Sequence, residues 1–340
     1  MTSMMLKEAV SAAECVALQL SQDADRYAAL GQTLRTTQFN TALTIARGSS
    51  DHAANYCAYL IMARMGRVVA SLPMSLLTLY KSPLVTRNTL TIAISQSGQS
   101  PDVVEPTGYF RNGGATTVAL VNDITSPLAQ TAEWAMPLHA GKEQSVAATK
   151  SFITSLVAGA RLVAEWQNDP DLKEGLAALP DALAVAAQAD WSPAIEVLAP
   201  ARNIMVVGRG ISFPIALESA LKFKETSALQ AEAFSGAEIK HGPMALIEEG
   251  YPLMIFATRG PTQAGLVQLA TEMRGRGARV LLAAPADIAE RDLTLPTAAT
   301  PDLDPIVAVQ AFYVMAAKLA EARGMDPDRP RHLSKVTKTN

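Results

Sequence analysis

The sequence predicts an α/β protein made of two tandem copies of one unit, each a mainly parallel sheet flanked by helices. Apolar, β-prone runs alternate with stretches of helical periodicity, the pattern of strands buried on both faces. Strands end in Gly- or Ser-containing turns that open directly into helices, as at Arg47-Gly48-Ser49-Ser50 and Gly208-Arg209-Gly210-Ile211-Ser212. A strand, such a turn and a helix begin a βαβ unit. The pattern also repeats. Arg47 and Arg209 lie 162 positions apart, and TLTIAISQSG from Thr89 matches PLMIFATRGP from Pro252 at an offset of 163. GATTVALV from Gly114 matches GARVLLAA from Gly277 at the same offset of 163, which marks an internal duplication.

In chain order, residues 1–38 are an N-terminal helical segment in which Lys7 to Gln38 reads as one or two helices. The first unit, 39–167, starts with a strand from Thr41 to Ala46 and a helix from Asp51 to Met65. A strand from Leu90 to Ile94 follows, with helices from Val103 to Asn112 and from Val146 to Trp166. Residues 168–200, rich in Ala, Pro and Asp, read as a pair of linker helices. The second unit, 201–324, opens with a strand from Asn203 to Val207, followed by the helix carrying Glu218 and helices from Gln263 to Gly275 and from Pro305 to Arg323. Residues 325–340 form a basic, proline-interrupted tail; such termini usually fray.

Composition excludes several classes. Of 340 residues, 49% are hydrophobic and 18% charged, a globular rather than a disordered balance. The formal net charge is −3, from 29 basic and 32 acidic residues, so the basic footprint of a nucleic-acid binder is missing. Cys15 and Cys57 cannot build a disulfide framework, the N-terminus lacks a signal-peptide pattern, and no run of about 18 apolar residues spans a bilayer. A cytoplasmic protein with no membrane partner is expected. His52, His139, His241 and His332 are scattered without ligand spacing, so no metal site is expected. Neither a GxGxxG fingerprint nor a GxxxxGK[ST] loop is present, and no cofactor is expected.

Two stretches carry chemistry. In Ala216–Pro243, Glu218, Lys222 and Glu225 fall at i, i+4 and i+7 on one helical face, and Lys240-His241-Gly242-Pro243 places a histidine on an exposed, rigid turn. Carboxylate, lysine and histidine together suit proton transfer at carbon and oxygen. A Glu–Lys pair on a solvated face would give the same spacing. In Ser95-Gln96-Ser97-Gly98-Gln99-Ser100, hydroxyls and backbone N–H groups gather between a strand and a helix, an anion cradle reinforced by the helix N-terminus. An ordinary polar loop with a Ser cap is the alternative. The equivalent turn of the second unit, Thr258-Arg259-Gly260-Pro261, has no serine, so one phosphate site per chain follows.

Five motifs in order (Arg-Gly-Ser-Ser at 47–50, Ser-Gln-Ser-Gly at 95–98, Val-Ala-Ala-Thr-Lys at 146–150, the block from Glu218 to Pro243, and Pro-Arg-His-Leu-Ser-Lys at 330–335) resemble the sugar isomerase (SIS) superfamily. Within it, the chain is most similar to the isomerase half of the glucosamine-6-phosphate synthases. The resemblance implies two tandem SIS domains of doubly wound, flavodoxin-like fold, with the tail closing the active site. It puts the sugar phosphate on Ser50, Ser95, Gln96, Ser97 and Ser100. It makes Glu225 the base that moves a proton between C1 and C2, and His241 the ring-opening histidine, reaching over from the neighbouring subunit of a homodimer. Lys222 and Glu218 would line the site near the open-chain oxygens, Lys335 would engage the ketose carbonyl, and Glu143, Val146, Ala148 and Ser334 would line the sugar pocket. Ala148 stands where the synthase pattern has serine, and a chain without the synthase's glutaminase domain is expected. The implied function is a deaminase that converts glucosamine 6-phosphate to fructose 6-phosphate and ammonia. Alternatives are a fructosamine-6-phosphate deglycase, a simple aldose–ketose phosphate isomerase, or a non-catalytic sugar-phosphate sensor.

Overall fold

The β-prone runs form strands in a computed structural model that describes residues 2–335. In one sheet, β1 (Thr41–Ile45), β2 (Val69–Ser71), β3 (Thr89–Ser95), β4 (Thr116–Val121) and β5 (Trp134–Pro137) lie in the order β2-β1-β3-β4-β5. In the other, β6 (Asn203–Gly208), β7 (Gln230–Ser235), β8 (Pro252–Phe256), β9 (Arg279–Ala284) and β10 (Leu293–Thr294) lie in the order β10-β9-β8-β6-β7. Every pairing is parallel. Read from the second strand of each copy, the two orders are the same, so the duplication seen in the sequence is a duplication of topology.

The chain divides into two compact units. The first holds Glu14–Glu143 and Lys150–Ala177; the second holds 2–13, Gln144–Thr149 and Ala178–Lys335. In the first, Ile45, Ala93, Phe110, Val121 and Leu128 share a buried core, and in the second Met205, Val207, Ile255, Met273 and Leu282 do. Apart from Ala93, each such side chain contributes about 1.5–3 kcal/mol by leaving water. Pro301–Ala322 is long and apolar enough to cross a membrane, but 94% of its apolar stretch is buried in the protein, as in a core helix.

Several local expectations are corrected. Lys7 to Gln38 holds parts of three helices, Met4–Val10, Ala12–Ser21 and Ala24–Thr36, because Asp23 adopts φ 55 and interrupts the run. The helix after β1 starts at Gly48 rather than Asp51, so Gly48, Ser49 and Ser50 form its first turn. The helix expected from Val146 starts at Lys150. Glu143 fixes that start: its Oε1 accepts the Ser151 N–H at 3.1 Å and its Oε2 the Ser151 hydroxyl at 2.6 Å. The linker region contains three short helices, Pro170–Ala177, Leu179–Ala186 and Ser192–Leu198. The edge strands β2 and β7 have no counterpart in the sequence reading; β2 is only three residues long, and β7 alternates exposed with buried positions at its start.

Candidate active site

The helix Phe213–Ser227 carries the charged stripe. Pro214 in its first turn needs no N–H partner there, and Ala228, left-handed at φ 47, ends the helix. Ile215, Ala216, Ala220 and Phe223 bury one side, and Phe223 meets Phe312 of the helix Asp304–Ala322 edge-on at 5.1 Å. The stripe faces inward. Glu218 is 0% exposed and Lys222 1%, which removes the solvated-face alternative.

Tyr313 of the helix Asp304–Ala322 donates its hydroxyl to Glu218 Oε1 at 2.8 Å. Lys222 Nζ lies 3.4 Å from Glu218 Oε1 and donates to Glu225 Oε2 at 2.5 Å. Burial alone would lower the Lys222 pKa, but the charges of Glu218 and Glu225 and their hydrogen bonds outweigh it and hold the ammonium above its ordinary value. At neutral pH Lys222 is a fixed cation and cannot accept a proton. Glu225 is the outermost member, with 20% of its side chain exposed. It lines a cavity of about 490 Å³ together with Leu221, Lys224, Met325, Arg329 and Arg331.

His241 ends a 3-10 turn, Glu238–His241, and is exposed. Among the described residues, no hydrogen bond or ion pair joins it to Glu225. Through Lys335 the tail is tied down rather than frayed, and 336–340 lie outside the described residues. Asp328 accepts the N–H groups of Met4 and Met5 at 2.7 and 2.6 Å, Val146 N–H donates to Asp328 O, and Lys335 Nζ donates to Ser145 O at 2.8 Å. Val146, Ala148 and Lys335 are half-buried and Ser334 is exposed. Lys335 is the last described residue.

In the first unit, β3 delivers Ser95, Gln96 and Ser97 to its carboxyl end, and Ser100 precedes the helix Pro101–Asn112. Ser95 Oγ accepts the Gly98 N–H at 3.0 Å, which curls the loop, and Gly98 has φ +62. A Cβ there would lie 2.1 Å from Ser126 Oγ, so only glycine fits. Ile45 of β1 pairs with Ala93 of β3, which brings the first turn of the Gly48–Met65 helix, with Ser50, to the same sheet edge. Arg47 Nε donates to Asp102 at 2.8 Å, so its charge is already matched. Glu143 is buried at its capping position.

The structure thus groups Glu218, Lys222 and Glu225 in the second unit, and the five cradle residues in the first. Tyr313 escaped the sequence reading. Its signal was there: a lone phenol in the run IVAVQAFYVMAA demands a buried partner.

The SIS domain model matches residues 37–164 and 197–324, over half of the chain. The chain belongs to the SIS domain family. Its two SIS matches cover the two sheets. Glutamine–fructose-6-phosphate aminotransferase [isomerizing] of Zymomonas mobilis is 32% identical over 316 residues, 88% of this chain and 52% of that protein. The Symbiobacterium thermophilum enzyme of the same name is 35% identical over 309 residues, 86% of this chain and 50% of that protein. The chain spans about half the length of the curated relatives it matches. Among solved structures, a protein of Silicibacter pomeroyi, provisionally described as a phosphosugar isomerase, is 38% identical with a TM-score of 0.91, covering 96% of this chain and 100% of that one. A glucosamine-6-phosphate deaminase of Thermotoga maritima has a TM-score of 0.79 at 22% identity, covering 99% of this chain and 100% of that one, and shows the shared SIS fold alone.

Proposed function

We propose that the chain is a phosphosugar isomerase acting on an amino sugar, converting glucosamine 6-phosphate and water to fructose 6-phosphate and ammonia. One observation carries this reading: a buried Glu218–Lys222 pair, with Lys222 held cationic, supports a single carboxylate, Glu225, that reaches a cavity. A structural ion pair would need no third, half-exposed member facing open space.

His241 opens the ring by moving a proton from the anomeric hydroxyl to the ring oxygen. Glu225 then takes the C2 proton and returns it to C1, through an enolamine. Lys222 stabilises the negative charge that builds on O1, and Glu218 keeps Lys222 in place. The product of this shift is a C2 imine; water adds to it, ammonia leaves, and the ketose remains. Ser50, Ser95, Gln96, Ser97 and Ser100 take the phosphate, which holds the open chain in register for the proton shift. Glu143, Val146, Ala148, Ser334 and Lys335 are assigned to the sugar on the SIS resemblance. His241 belongs to the partner's site in a homodimer; its exposure and lack of a described bond to Glu225 of its own chain support that assignment. Mixing inactive His241→Ala and Glu225→Gln chains should then restore activity on subunit exchange, and no recovery after demonstrated exchange refutes sharing.

A second reading has its own support. Lys224, Arg329 and Arg331 on the cavity beside Glu225 suit a larger amine that carries a carboxylate, as a fructosamine-6-phosphate deglycase would release. Incubation with glucosamine 6-phosphate, with ammonia and fructose 6-phosphate followed together, separates the two. Equimolar appearance of both supports the deaminase. Silence there, with amino-acid release from a fructosamine 6-phosphate, supports the deglycase. Aldose–ketose interconversion without amine release supports the simple isomerase, and binding without turnover of any of these supports a sensor.

A further inference from the structure

A full positive charge strengthens the binding of a phosphate dianion, and the cradle residues named so far supply only hydroxyls, an amide, backbone N–H groups and the partial charge of a helix N-terminus, with Arg47 already bound to Asp102. One cation of the first unit is placed differently. Lys150, the first residue of the helix Lys150–Gln167, is 9% exposed, yet among the described residues it has no hydrogen bond or ion pair. Its stem is packed away and its ammonium keeps only a narrow contact with solvent, so an anion arriving there would find an unmatched cation in a poorly hydrated place.

The packing of its helix locates it. The helix Lys150–Gln167 lies along the helix Gly48–Met65, and the two stay in step. A Cβ added at Gly159 would lie 3.1 Å from Cys57 Cβ. One end further on, Arg64 Nε donates to Gln167 Oε1 and Gln167 Nε2 donates to Arg64 O, both at 2.9 Å. The offsets are 102 and 103 residues, so the helices run parallel, and the same offset puts Lys150 level with Gly48. Gly48 opens the turn that holds Ser50, at the sheet edge where β3 delivers Ser95, Gln96 and Ser97.

We propose that Lys150 is the buried cation of the anion cradle and binds the phosphate group of the ligand, alongside Ser50 and the Ser95–Ser100 loop. The inference rests on the cradle reading above and adds to it a charge-bearing residue. The ligand class is a phosphate dianion, either esterified to a sugar or free.

The test uses the full chain, with thermal unfolding and calorimetric titration of glucose 6-phosphate and of inorganic phosphate. The unaltered protein should be stabilised by at least one of them; tighter binding of glucose 6-phosphate assigns the cradle to the ester, and equal binding assigns it to the free anion. Lys150→Met should weaken the binding ligand at least tenfold, while the melting temperature of the unliganded variant stays level or rises, because no hydrogen bond or ion pair of the side chain is lost and its apolar stem is kept. Lys150→Arg should retain a measurable part of the affinity. A Lys150→Met variant that binds as tightly as the unaltered chain overturns the role of Lys150 and leaves the serine cradle standing. Failure of the unaltered chain to bind either ligand overturns the cradle, and this proposal with it.

Discussion

Removing one oxygen atom should loosen the whole charged stripe. In Tyr313→Phe, Glu218 Oε1 loses a hydroxyl donor at 2.8 Å, in a place where both residues are 0% exposed and water cannot substitute. Hydrogen bonds to charged groups contribute about 1.5–3 kcal/mol, and a buried acceptor left short of donors costs a similar amount. Lys222 Nζ, 3.4 Å from the same oxygen, can close part of the gap, so about 2 kcal/mol is expected. In hydrogen exchange read by mass spectrometry, the amides of the Phe213–Ser227 helix should then exchange roughly 30-fold faster wherever they open with that unit. Ser219 on the same helix is the control. Its buried hydroxyl has no partner among the described residues, so Ser219→Ala should be neutral or protective. An increase below about threefold for Tyr313→Phe, or an equal increase for Ser219→Ala, would refute the reasoning.

Four further outcomes follow from the geometry. Glu225→Gln should abolish turnover of the sugar phosphate while thermal stabilisation by phosphate persists; residual turnover near the unaltered level removes Glu225 from the role of base. Gly98→Ala, forcing a Cβ to 2.1 Å from Ser126 Oγ at φ +62, should cost about 2 kcal/mol or more and erase phosphate binding in the same melting assay. Glu143→Gln, which weakens the double cap on Ser151, should lower stability by about 1 kcal/mol in a urea titration. Lys222 has a raised ammonium pKa in the folded chain, so its contribution is fully present below the unfolded value near 10.5 and is lost as pH climbs through the folded one. Stability should therefore fall in that alkaline window, and less steeply in a chain where Glu218, Lys222 and Glu225 are all neutralised together.

The central strands were legible because burial on both faces leaves an unbroken apolar run, as in Thr89–Ser95. The edges were not: Gln230–Ser235 is half polar and reads as loop. Val146 to Thr149 reads as helix from its alanines, and only the Glu143 side chain, meeting Ser151 across eight residues, moves the start to Lys150. Spacing alone brought Glu218, Lys222 and Glu225 onto one face, and a solvated stripe was an equal reading of it. What decides against a solvated stripe is its burial against Tyr313, a partner 95 residues away. Lys150 stood in the Val146–Lys150 motif with no role of its own, since no local pattern shows that a neighbouring helix keeps step with it.

The duplicated fold offers a second strand edge, and there the chain has supplied its own occupant. Arg259, in the turn after β8, holds Asp304 through Nε at 2.8 Å and Nη2 at 2.7 Å, and Asp304 also accepts the Ala298 N–H at 2.9 Å. A carboxylate tethered to the same chain competes as if present at millimolar concentration or above, without ever diffusing away. Any dissolved anion must outcompete that resident, which is why the proposed phosphate site is placed in the other half alone. On the proposed function, two copies of one architecture make a lock with one keyhole, and Asp304→Asn is the change that would cut the second.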